Sequence, residues 1–216
     1  MNKHKMKDFF PLTFAEEVFN SVSHGVMASI MLLLIPASAV FAYIQGGFLR
    51  SFGISVFTLS IFLMLLSSTL YHAMAIRSNQ KIIFRILDHI FIYVAIAGSY
   101  TPIAICLIGG MTGIIICVIQ WSMVLIGILY KCLSTKSLPK LSLTIYLIMG
   151  WTVVLFIPSL LKNATIPFLF FLALGGILYS VGAYFYTKRF KFAHAIWHLF
   201  INAALICHYI AIVFLM

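Results

Sequence analysis

The sequence predicts an all-α membrane protein: a bundle of seven transmembrane helices, N-terminus in the cytoplasm and C-terminus outside. Three observations predict it. Of 216 residues, 63% are hydrophobic and only 8% charged, with a mean hydropathy of +1.13. A soluble domain of this size cannot hide so much apolar surface. The apolar residues come in continuous runs of about 20, the length that crosses a hydrocarbon core. Lipid obliges such segments to satisfy their backbone internally, as helices do, and the runs lack the alternation of barrel strands. Finally, the positive charges collect in alternate connections.

Each span has its own punctuation. Residues 18–43 form span one, entered through Thr13 and Glu16 at capping-box spacing. Gly46 and Gly47 separate it from span two, residues 52–75. Span three, residues 86–108, ends at Gly109 and Gly110. Span four is residues 112–130, and Pro139 precedes span five, residues 141–160. Spans six and seven are residues 166–187 and 193–216. Pro36 and Pro102 lie inside spans, which membrane helices tolerate when neighbours satisfy the freed carbonyls. Connections are short, so residues 1–216 read as one membrane domain with a cytoplasmic segment at residues 1–17. The opening MNKHKMKDFFPL is basic but lacks the short apolar run and small-residue site of a cleaved signal peptide.

Lys3, Lys5 and Lys7, then Arg77, Lys81 and Arg85, then Lys131, Lys136 and Lys140, then Lys188, Arg189 and Lys191 all fall on one side. Only Arg50 and Lys162 fall on the other. The positive-inside rule puts the richer side in the cytoplasm of a multi-pass cell-membrane protein. A net charge of +10 dispersed over short loops excludes a nucleic-acid surface, which gathers its charge on one face. Cys106, Cys117, Cys132 and Cys207 form no C-x-x-C pair and read as small buried apolar residues.

The acids are Asp8, Glu16, Glu17 and Asp88. Asp8 lies among tail lysines, as a solvated pair. Given the topology, Glu17, His24, His72, Asp88, His89, His194 and His198 all sit toward the cytoplasmic side of spans one, two, three and seven. Ionisable groups are costly in lipid and mark function. His194 and His198 are i and i+4, on one helix face about 6 Å apart along the axis, and can chelate one metal ion. Ser68 and His72 share a face of span two by the same spacing. Three neutral imidazoles with one open position is the ligand count of a catalytic zinc site. Asp88 is then placed to hold a water or to orient a histidine.

The remaining polar residues divide. His89 points about 100° away from Asp88 around the helix and reads as a loop or headgroup contact. His208 lies about 21 Å beyond His194 along span seven, too far to share an ion, and reads as a structural hydrogen-bonder. His4 belongs to the tail. Glu17, Asn20 and His24 line one helix face, either as a seam that docks span one or as a cluster supporting the metal.

The stretches EVFNSVSH (residues 17–24), STLYH (residues 68–72), Asp88 and HAIWH (residues 194–198) together resemble the progestin and adipoQ receptor family. RILDHIFIYVAIAGSYTPI (residues 85–103) resembles especially its bacterial branch, the hemolysin III family. The resemblance spans nearly the whole chain and implies seven helices with an intracellular N-terminus. It implies Zn2+ held by His72, His194 and His198, with Ser68 and Asp88 beside it. The family is similar to alkaline ceramidases, so the resemblance implies a membrane lipid as substrate or ligand, hydrolysis of a lipid amide or ester, and a part in membrane homeostasis. Two other classes stand against the hydrolase. One is a receptor or sensor with structural zinc, which needs a fourth protein ligand such as Asp88. The other is a cytolytic hemolysin, which must be soluble before insertion, as this chain is too apolar to be.

Overall fold

The computed structural model describes residues 12–76, 78–133 and 139–216. The tail residues Lys3, His4, Lys5, Lys7 and Asp8, and the loop residues Arg77 and Lys136, lie outside the described residues. The described chain is helical, and six of its helices are long and apolar enough to cross a membrane.

The first, α1 (Phe14–Ala73), has 60 residues and is not straight. Gly46 (φ −156°) and Gly47 (φ +68°, ψ −160°) leave helical geometry. Gly47 takes a backbone conformation open essentially to glycine alone. Residues 14–45 and 48–73 therefore fold back as two antiparallel arms. Ser51 Oγ donates to the Ala39 carbonyl beside the bend (2.9 Å), and Ser21 Oγ to the Thr69 carbonyl at the far end (3.1 Å). The expected gap over residues 44–51 shrinks to the two glycines, because nothing in Ile44, Gln45 or Phe48 opposes a helix. At the start of α1 the capping box forms as expected: Thr13 N donates to Glu16 Oε2 (2.9 Å) and Glu16 N to Thr13 Oγ1 (3.3 Å).

Ser78 caps α2 (Asn79–Pro102), which widens into a π-helical segment at Ile103–Ile108. Gly109 and Gly110, both at positive φ, turn the chain into α3 (Gly110–Leu133). The fifth apolar run is broken, where the sequence suggested one unbroken span. It comprises α4 (Pro139–Trp151), a 3-10 segment (Thr152–Phe156) and α5 (Ile157–Asn163). Pro158 has no N–H to give the preceding turn, which tightens. Tyr100 repairs the gap: its hydroxyl donates to the Gly150 carbonyl and accepts from Val153 N, both at 2.7 Å. Gln120 Nε2 donates to the Met149 carbonyl (3.2 Å). Thr165 caps α6 (Ile166–Tyr186), and α7 (Ala193–Tyr209) ends in a second π segment, Ile210–Leu215.

The burial pattern suits lipid. Ile54, Phe57, Ile61 and Leu65, one face of the second arm of α1, are wholly buried, whereas Leu33, Ile44, Phe48 and Ile166 stand exposed around the outside. Hydroxyls inside the helices return to carbonyls one turn back, as Thr58 does to Ile54, Ser60 to Val56 and Thr101 to Ala97. The packing of α1 on α2 and α7 brings the last turn of α1, the start of α2 and the start of α7 to one end of the bundle.

Candidate metal centre

His72 stands in the last turn of α1, His194 and His198 on one face of α7. One ligand atom from each lies within 4.8 Å of the others. The ring centroids are 5.1 Å apart from His72 to each of the other two, and 4.9 Å from His194 to His198. The Nε2 atoms of all three are buried without a hydrogen-bond partner. Three buried ring nitrogens without a partner are a costly arrangement unless something binds there, and three imidazole nitrogens suit a zinc ion.

Two of the rings have their tautomer set by neighbours. Glu17 Oε2 lies 2.7 Å from His72 Nδ1, and a carboxylate accepts, so Nδ1 carries the proton and Nε2 the lone pair. Ser23 Oγ lies 3.3 Å from His198 Nδ1 and gives its single proton to the Asn20 carbonyl at 3.0 Å. It therefore accepts from His198 Nδ1, which again frees Nε2. Such outer partners fix ring orientation in metal sites. The sequence offered Asp88, and the face of Glu17, Asn20 and His24, for this role; the structure sets Glu17 against His72 and sets Ser23, which sequence reasoning missed, against His198.

His24 stacks on His198 at 3.7 Å with an interplanar angle of 7°. Both ring nitrogens of His24 and both amide atoms of the buried Asn20 lack partners. Ser68 is likewise buried, with its hydroxyl set against the Asp88 carboxylate. The three-residue face Glu17–Asn20–His24 thus packs around the histidines, and Ser68 and Asp88 come to the same region.

Four expectations change. Lys81, counted with the loop charges, is 1% exposed, and its Nζ pairs with Glu17 Oε1 at 2.9 Å. The signal was its place inside α2, three residues past the capping Ser78. Glu16 does more than cap its own helix: its Oε1 accepts from Phe192 N (2.7 Å), pinning the left-handed turn that launches α7. His89 turns its ring back on its own helix: its Nδ1 donates to the Arg85 carbonyl at 2.6 Å, and the Tyr146 hydroxyl donates to the His89 carbonyl. The cysteines are free, but Cys132 is exposed and only Cys207 is buried. His208 takes the structural place expected of it, against the Leu172 carbonyl at 3.3 Å.

A cavity of about 390 Å³ begins at His24 and Asp88 and runs among α2, α4, α5, α6 and α7 as far as Leu160 and Leu169. Its α2 wall reaches from Asp88 to Ile103, about 22 Å along the axis. The lining is apolar except near that first end, at scattered hydroxyls and at His208.

A family profile described as Haemolysin-III related matches residues 12–209. The chain belongs to the hemolysin III family. Hemolysin III relatives include the Hemolysin-3 homolog of Bacillus subtilis (strain 168), 39% identical over 193 residues, 88% of this chain and 89% of that protein. Hemolysin-3 of Bacillus cereus is 36% identical over 187 residues, 86% of this chain and 85% of that one. The human Monocyte to macrophage differentiation factor is 31% identical over 152 residues, 67% of this chain and 62% of its own length. That match links this hemolysin III protein to the progestin and adipoQ receptor family. It is an integral membrane protein.

Proposed function

We propose that the protein is a zinc-dependent hydrolase of lipid amide or ester bonds, ceramidase-like in type, that serves membrane homeostasis. The observation that carries this reading is the gathering of ring nitrogens from His72, His194 and His198 within 4.8 Å of one another, the Nε2 of each buried without a partner, beside a long apolar cavity whose polar end holds Asp88. His72, His194 and His198 hold the metal. Zinc, when bound, supplies a Lewis acid that polarises a carbonyl and lowers the pKa of water to about 7. Asp88 accepts the proton from the attacking water. Ser68, set against Asp88, supports that carboxylate or donates to the oxygen on which charge develops. Glu17 and Ser23 hold their rings in the tautomer that presents Nε2. The cavity takes the acyl chain and keeps water from it.

An open position on the metal is favoured over a closed structural site. Among the described residues only three ligand-bearing side chains gather within 4.8 Å, and Asp88 is not one of them. We place the centre near the cytoplasmic face of the plasma membrane, in a single seven-span domain where each arm of α1 crosses once.

The test is metal analysis of purified protein in lipid nanodiscs, followed by assay of fatty-acid release from acyl amides and esters. About one zinc per chain is expected, lost in His72→Ala, His194→Ala and His198→Ala, with fatty acid released only by the metal-loaded form. Zinc that stays bound after all three histidines are replaced sinks the centre. Absence of acyl cleavage with zinc bound sinks the hydrolase.

A further inference from the structure

Among the described residues, Lys81 is the only buried lysine, and its three N–H groups are all used. Nζ lies 2.9 Å from Glu17 Oε1, 3.0 Å from the Tyr71 carbonyl and 3.3 Å from the Met74 carbonyl. Its ammonium also sits 4.7 Å from the centre of the Tyr71 ring. A lysine that only capped the carbonyl end of α1 would keep its charge in water. This one is sealed in, and the carboxylate that it meets divides its two oxygens between Lys81 and His72. The chain Lys81–Glu17–His72 joins α2 to both arms of α1 and ends on the histidine cluster.

We propose that Lys81 is a positioning residue of that cluster: acting through Glu17, it fixes the orientation and tautomer of His72. The inference rests on the reading of the three histidines as a metal centre. Two buried opposite charges in contact are tolerated, whereas one left alone is strongly unfavourable. Lys81 therefore lets an ionised Glu17 stand at the one place where it holds His72 Nδ1–H and leaves Nε2 toward His194 and His198. Bonds to the Tyr71 and Met74 carbonyls fix the ammonium to the turn of α1 that carries His72, so the carboxylate is held from a point that moves with the ring. Without the ammonium, Glu17 has a reason to turn away, and His72 loses its anchor while remaining in the chain.

The experiment is a double-mutant cycle read by metal binding, with no substrate needed. Full-length protein in detergent is titrated with Co2+, whose visible absorption reports the ligand set, and then with competing Zn2+. Glu17→Gln and Lys81→Met should each weaken binding by about 10- to 100-fold, the usual effect of losing an outer-shell partner. If Lys81 acts through Glu17, the pair Glu17→Gln/Lys81→Met should bind within about twofold of Glu17→Gln alone, with the same altered Co2+ spectrum. The pair also leaves no buried charge unmatched, so it guards against a Lys81→Met variant that fails to fold. Losses that multiply in the pair overturn the proposal, and so does wild-type affinity in a folded Lys81→Met protein. If the unaltered protein binds neither Co2+ nor Zn2+, the metal centre itself falls, and the role of Lys81 with it.

Discussion

At the scale of single residues, the site depends on which nitrogen of each imidazole carries a proton. Glu17 and Ser23 decide this for His72 and His198 at 2.7 Å and 3.3 Å, and no metal has to be bound for them to do so. Asp88 stands apart from that work: it lines the cavity beside Ser68 and is not among the side chains whose ligand atoms gather within 4.8 Å. Asp88→Asn should accordingly keep zinc and lose about 10²- to 10⁴-fold in lipid turnover, the usual effect of removing a general base. Parallel metal analysis and fatty-acid release check this; loss of zinc with activity would make Asp88 a ligand. His208→Ala should retain full metal content, because that ring is turned to the Leu172 carbonyl. Metal loss in His208→Ala equal to that in His194→Ala would refute the separation of the two.

At the scale of elements, two devices hold the helices to their courses. The bend in α1 rests on Gly47, where φ is +68° and an added Cβ meets nothing within 4 Å. The penalty for a side chain there is purely one of backbone conformation. Gly47→Ala should lower stability by about 1–3 kcal/mol, measured by denaturant unfolding in micelles. Gly46→Ala meets a different penalty: its φ of −156° suits any residue, but the new methyl would lie 2.8 Å from Arg50 Cδ and 3.1 Å from Arg50 Cβ, on a side chain whose Nη2 donates to the Met216 carbonyl. The second device is the hydroxyl of Tyr100 in the broken fifth run. Tyr100→Phe strands the Gly150 carbonyl and the Val153 N–H in apolar surroundings. Each group so stranded should cost about 1–3 kcal/mol. A melting temperature in Tyr100→Phe equal to that of the unaltered protein would show that the 3-10 segment satisfies itself. Pro158 was visible in the sequence, but its effect depends on whether a neighbouring helix offers partners, and a single span gives no sign of that.

At the scale of the whole molecule, the charge arrangement and the folding back of α1 make one statement about orientation. With seven crossings, Lys188 and Lys162 lie on opposite sides of the membrane. In a background lacking the exposed Cys132, Lys188→Cys should be modified by an impermeant thiol reagent only from the cytoplasm, and Lys162→Cys only from outside. Modification of both from the same side would break the seven-span arrangement, and with it the cytoplasmic placing of the centre. The positive-inside count survives the burial of Lys81, because an ammonium paired to Glu17 at the end of the bundle still lies on the side where it was counted.

The sequence by itself determined the class, the apolar runs and the residues worth watching. Hydropathy, charge bias and the i, i+4 spacing of His194 and His198 are local properties, and they leave their mark within a few turns of helix. It also placed Glu17, His24, His72, Asp88, His89, His194 and His198 toward one side. Tertiary structure alone decided who touches whom. Glu17 meets His72 across 55 positions, Ser23 meets His198 across 175, and Glu16 meets Phe192 across 176. Periodicity names the face of a helix but not the side chain opposite it. That choice is made by how helices pack, where a rotation of about 100° exchanges Asp88 for a neighbour and turns Lys81 from a surface charge into the buried partner of Glu17.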